Sequence, residues 1–211
     1  ANPNLALLRA IRPWLSTFDA SSFAEVERAM AAGMAPADIT FSGPAKRHEE
    51  IARAMAAGVG ELVLEHADEA QEASRIAGHL GRVQDVLVRI NPARVPKGFG
   101  ASMAATPSQF GIDEEDLAAE LPAIAALPGL RLIGFHIYSG TNCRDPQAIA
   151  ENFAIFAAIF RQAQALTGIR PERLVFGSGF GLNYLPGEAP LDHAALPALA
   201  AQLVAGMQRR Q

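Results

Sequence analysis

Short apolar segments alternate with longer amphipathic ones along almost the whole chain, and this alternation constrains the fold more than any other feature. Six segments have the length and apolar content of strands: LSTFDAS, DITFSG, ELVLE, VQDVLVRIN, LRLIGFHIYSG and RLVFGSG. Seven helical patterns surround them, among them SFAEVERAMAAG, KRHEEIARAMAAG and PQAIAENFAIFAAIFRQAQALTG. Ser21 or Ser22 can cap the first of these three, and Gly33 and Gly58 stop the first two. Each helix is long enough to cross back over a sheet, so the pattern predicts parallel strands joined by right-handed crossovers. The near-continuous apolar run in VQDVLVRIN suits a strand buried on both faces.

Two architectures share this signature, an open doubly wound sheet and a TIM-type (β/α) barrel. A barrel usually takes about 250 residues and eight strands, whereas this chain has 211 residues. The sequence begins and ends in helical patterns. An incomplete barrel with about six of the eight strands, one domain over 1–211 truncated at both ends, accounts for the shortfall.

Composition narrows the function classes. The net charge of −4 gives no basic footprint for nucleic acid. Cys143 is the single cysteine, so no intramolecular disulfide forms, and no Cys/His spacing predicts a metal site. No apolar run reaches the roughly 20 residues that cross a bilayer, and the N-terminus has no basic region followed by an apolar stretch. The expectation is a cytoplasmic protein with no membrane or nucleic-acid partner.

Ligands of parallel α/β folds collect at the carboxyl ends of the strands. Polar groups recur there in every unit: Asp19, Lys46, Glu65 with His66, Arg89 with Asn91, and His136 with Ser139, Thr141 and Asn142. The last strand runs into Gly177, Ser178 and Gly179, whose backbone N–H groups can approach an anion at the start of a helix. No Gly-Lys-Ser/Thr follows, which excludes a Walker loop. The alternative reading of this stretch is a tight turn without a ligand. His136 lies in an apolar strand, where a histidine is either a hydrogen-bonded core residue or a site residue near the strand end. Arg89 needs a buried partner, which a ligand, Asp19 or Glu65 can supply equally well. His48, His66, His79 and His193 fall on helices or helix starts and are expected to be solvated. Glu49–Glu50 and Asp113–Glu115 suit first helical turns.

The ordered motifs FDASSFAEVERAMAAGMAPADITFSGPAK, VRINP, SQFGID, GFHIYSGTN and FGSGFGLNYLPGE resemble the pyridoxal-phosphate decarboxylases of the alanine-racemase-like barrel type, which act on diaminopimelate, ornithine or arginine. FSGPAK, GFHIYSGTN and NYLPGE resemble most the branch that includes decarboxylases of carrier-protein-bound amino acids and enzymes linked to exosortase loci. The resemblance implies a pyridoxal 5′-phosphate cofactor, with Gly177, Ser178, Gly179 and Ser139 on its phosphate. His136 would stack on its ring as the catalytic residue within this chain, with Asp19 and Arg89 near the ring. It implies an amino-acid substrate, free or carrier-bound, and a homodimer. The family's Schiff-base lysine lies in a motif absent here: Lys46 and Lys97 are the only lysines and neither sits in it. The lysine strand and the C-terminal β-domain are thus expected to lie outside the chain. Two other functions share these residues, a non-catalytic decarboxylase-like regulator and an amino-acid racemase.

Overall fold

The computed structural model describes residues 2–99, 109–177, 179–187, 189–192 and 194–208. His193 and Ser178 lie outside the described residues. The strands are β1 (Phe18–Ala20), β2 (Ile39–Phe41), β3 (Glu61–Leu64), β4 (Gln84–Asn91), β5 (Ile112–Asp113), β6 (Leu130–Tyr138) and β7 (Arg173–Gly177). The helices are α1 (Leu5–Ile11), α2 (Phe23–Ala31), α3 (His48–Ala57), α4 (Ala67–Leu80), α5 (Leu117–Ala125), α6 (Pro146–Thr167) and α7 (Ala195–Gln208). All six expected strands are present. β5 was not foreseen: its two residues are too few to show a pattern.

Six strands lie in the order β1-β2-β3-β4-β6-β7, every pair parallel, while β5 pairs only with the end of β4. Each strand lies beside the next because a helix carries the chain back to its starting level. Local chemistry sets the helix ends. The Ser22 side chain accepts from the Glu25 amide at 3.3 Å, and α3 stops at Gly58, which takes φ of +85° where other residues are strained. α5 is shorter than its pattern. A 3-10 turn over Glu114–Asp116 precedes it, and Pro122, inside the helix, offers no N–H to the ladder.

The main core lies between the sheet and the helices. Ile39, Phe41, Leu62, Leu64, Val86, Val88, Phe135 and Ile137 supply the sheet side of it. α6 brings Phe153, Phe156 and Phe160 against Phe176 of β7, with the Phe160 and Phe176 rings edge to face at 5.0 Å. Burying each of the three α6 rings contributes about 1.5–3 kcal/mol.

The other face of the sheet is layered. Thr40, Glu61, Asp85 and Arg131 are successive register partners, tied by Thr40–Glu61 (2.9 Å) and Arg131–Asp85 (2.7 Å) contacts. Val63, Leu87 and Ile133 form a separate apolar layer, with Val175 against it. Arg89 and His136, also register partners, lie beyond that layer toward the carboxyl ends. An inner face packed in such layers is that of a (β/α) barrel. The sheet is an open half-barrel with β1 and β7 at its edges.

Candidate active site

The site is built on the carboxyl ends of the strands and the turns that follow them. At β1, Asp19 is exposed, and its Oδ1 accepts from the Ser42 hydroxyl at 2.6 Å. Surrounding protein pushes the Asp19 carboxyl above the ordinary carboxylate range, against the Ser42 hydrogen bond and the charge of Arg89.

The partner of Arg89 is Glu65, at 3.1 Å, and both side chains are buried. Glu65 is held in turn: its second oxygen accepts from the Gly111 amide at 2.9 Å, and its own amide donates to Glu69 Oε2 at 2.8 Å. Glu69 closes an ion pair with Lys46 at 2.9 Å, and Lys46 also donates to the Gly43 carbonyl at 2.6 Å. Burial still raises the Glu69 carboxyl, with Lys46 acting the other way. The guanidinium of Arg89 lies 4.6 Å from the centre of the Phe110 ring. The buried charges are therefore paired along a chain from β2 to β5, which is the condition for keeping them there.

His136 stands opposite Arg89 and is buried, with Nδ1 lacking a hydrogen-bond partner. Burial, reinforced by the positive charges of Arg89 and Lys46, lowers its pKa to about 3. The imidazole is neutral. A neutral ring with an unused nitrogen, set at the end of an apolar strand, suits a flat ligand laid against it.

The glycine turn after β7 packs on the turn after β6. The Gly179 amide donates to the Gly140 carbonyl at 3.0 Å, and the Cys143 amide donates to the Gly179 carbonyl at 2.8 Å. Cys143 and Phe180 extend the parallel pairing. A Cβ on Gly177 would lie 2.6 Å from the Ile137 carbonyl, and one on Gly179 would lie 2.6 Å from the Gly140 carbonyl. Close backbone approach thus explains both glycines. The sequence pointed to amides facing an anion, whereas the Gly179 N–H is used by Gly140. Ser139, fully buried, donates from Oγ to Asn152 Oδ1 at 2.8 Å.

The sheet thus brings Asp19, Arg89, His136, Ser139, Gly177 and Gly179 to one end. Ser42, Glu69 and Asn152 were not foreseen. A polar residue at an inward position of the apolar helix α6 is the signal that marks Asn152. The other histidines behave as expected: His48, His66 and His79 are exposed, and His66 Nδ1 caps α4 by accepting from the Glu69 amide at 3.1 Å. Among the described residues no group of three or more His, Cys, Asp or Glu could hold a metal. No helix among them is long and apolar enough to cross a membrane.

A family model for the pyridoxal-binding domain of pyridoxal-dependent decarboxylases matches residues 1–208. The chain belongs to this family. Its relatives include the L-glutamyl-[BtrI acyl-carrier protein] decarboxylase of Niallia circulans, 32% identical over 91% of this chain and 45% of that protein. The diaminopimelate decarboxylase of Neisseria meningitidis serogroup B is 32% identical over 99% of this chain and 50% of its own length. The crystal structure of Helicobacter pylori diaminopimelate decarboxylase complexed with L-lysine superposes with a TM-score of 0.85 at 27% identity, covering 99% of this chain and 52% of that one. The chain spans about half the length of the curated relatives it matches.

Family membership makes pyridoxal phosphate the cofactor to test against the residues present, and they fit it. His136 offers a neutral buried ring with an unpartnered nitrogen, and Arg89 is fixed beside it by Glu65.

Proposed function

We propose that this chain is the cofactor-binding barrel portion of a pyridoxal-phosphate-dependent amino-acid decarboxylase. In this reading residues 1–211 are one barrel domain cut at both ends, and the C-terminal β-domain lies outside the chain. Neutral His136, Arg89 and the Gly177–Gly179 turn at one end of the sheet, in a chain of this family, carry the reading.

Gly177, Ser178, Gly179 and Ser139 would line the phosphate, the Gly179 amide itself being taken by the Gly140 carbonyl. His136 would pack against the cofactor ring, and its neutrality avoids setting a third cation beside Arg89 and Lys46. The Glu65 pair fixes the Arg89 guanidinium, so Arg89 contributes a positioned charge rather than a mobile one. Asp19, held by Ser42, orders the opposite side of the same end. Bound there, pyridoxal phosphate supplies the electron sink that lets carbon dioxide leave the amino acid. The amine that the chemistry needs is assigned to a lysine outside the chain. Lys46 is locked to Glu69, and Lys97 is exposed in the turn after β4.

The substrate class is an amino acid, free as for the diaminopimelate decarboxylases or carrier-bound as for the Niallia relative. The protein is proposed to act in the cytoplasm as a homodimer. The test is an absorbance titration of pyridoxal phosphate on the protein carrying this chain. Carbon dioxide release is then assayed from diaminopimelate, ornithine, arginine and carrier-loaded glutamate. Saturable, phosphate-competed binding and release from one of them are expected. Binding without release from any amino acid would favour the non-catalytic relative, racemisation without release the racemase, and no binding at all would sink the cofactor reading.

A further inference from the structure

Helix α6 carries one polar side chain where its apolar face meets the sheet. Ile149, Phe153, Phe156 and Phe160 are buried along that face, and Asn152 is buried as deeply. A side-chain amide in such surroundings costs free energy unless both of its ends are hydrogen-bonded. Here one end is satisfied. Oδ1 accepts from the Ser139 hydroxyl at 2.8 Å, while Nδ2 is buried with no hydrogen-bond partner. The arrangement commits the single hydroxyl proton of Ser139 to Asn152, which leaves that serine nothing to donate to an anion.

Turning the amide over exchanges two atoms of nearly equal size. Nδ2 then donates to Ser139 Oγ, Oδ1 replaces it as the unpartnered end, and the hydroxyl proton is released for another acceptor. Ser139 directly follows Tyr138, the register partner of Gly177, and the next residue, Gly140, accepts from the Gly179 amide. The serine therefore belongs to the junction of the turns after β6 and β7.

We propose that Asn152 is a positioning residue of this junction. Its amide, turned so that Nδ2 donates to Ser139 Oγ, makes the Ser139 hydroxyl a donor to a phosphate group held between the two turns; this rests on the pyridoxal-phosphate reading of the same site. In the orientation the structure holds, the hydroxyl donates to Oδ1 instead. A buried asparagine at this helical position thus has a purpose that a leucine could not serve.

The test compares pyridoxal phosphate with pyridoxal, which lacks the phosphate, on the protein carrying this chain. Asn152→Leu keeps the side-chain size and removes both hydrogen-bonding atoms. It is expected to weaken pyridoxal phosphate binding about tenfold or more, the worth of one hydrogen bond to a charged group, and to leave pyridoxal binding unchanged. Inorganic phosphate should compete less well by the same factor. Asn152→Leu added to Ser139→Ala should cost nothing beyond Ser139→Ala alone, because Asn152 acts through Ser139. The wild type supplies a second readout that needs no variant to fold: the side-chain amide resonances of Asn152 should shift when inorganic phosphate saturates the site. Equal weakening of both ligands, additive variants, or resonances indifferent to phosphate would overturn the role of Asn152 and leave the cofactor site standing. A wild type that binds neither pyridoxal phosphate nor inorganic phosphate would overturn both.

Discussion

His136 shows how far one residue's chemistry depends on its neighbours. In isolation an imidazole titrates near 6.5, but burial and two nearby cations bring this one to about 3. The unfolded chain therefore binds a proton at His136 below pH 6.5 that the folded chain does not bind until about pH 3. The sign follows: the cost of keeping the ring neutral is absent above the ordinary histidine pKa and grows as pH falls through this window. It grows by up to about 1.4 kcal/mol per pH unit. His136→Phe is expected to lose less stability than the wild type between pH 7 and pH 5, as read by urea unfolding at each pH. Identical pH profiles would mean that the histidine is not held neutral. Glu65 and Arg89 make the complementary case. Both residue types could be read as charged groups at strand ends, but nothing local to Arg89 chose between Asp19 and Glu65. The choice came from the adjacent positions of β3 and β4 and from the Gly111 amide, which already holds one Glu65 oxygen.

At the scale of elements, the helices and strands were the most legible part of the chain. Their signals are local: a serine before an apolar period, a glycine after it, a run of β-branched and aliphatic residues between. β5 and the shortened α5 were less so, the first because two residues carry no period, the second because a 3-10 turn takes up its acidic start. The Gly177–Gly179 turn was legible as a special backbone, though its immediate cause is the neighbouring turn. Gly179→Ala should set a methyl group 2.6 Å from the Gly140 carbonyl and force the two turns apart. The expected outcome is a loss of about 1–3 kcal/mol in urea unfolding, typical of overpacking, together with weaker pyridoxal phosphate binding. Full stability with intact binding would show that the turns separate without cost.

Across the whole molecule, β3, β4 and β6 are paired on both sides and carry the layered inner face, while β7 is only half-buried. Among the described residues, the edge strands β1 and β7 have a neighbour on one side only. Hydrogen exchange should follow that order, slowest in β3, β4 and β6 and fastest in β1 and β7. Protection of β1 equal to that of β4 would show that its open edge is covered by another strand.

By itself the sequence determined the alternation of strands and helices, the parallel crossovers and the set of polar residues at the strand ends, because these depend on periodicity and on residues close together in the chain. Only the tertiary structure decided which of those residues meet. Ser42 with Asp19, Glu69 with Lys46, Asn152 with Ser139 and Gly140 with Gly179 are contacts between separate elements. Such pairs are set by strand register and by the close approach of successive turns, and neither leaves a mark in the local pattern of either partner.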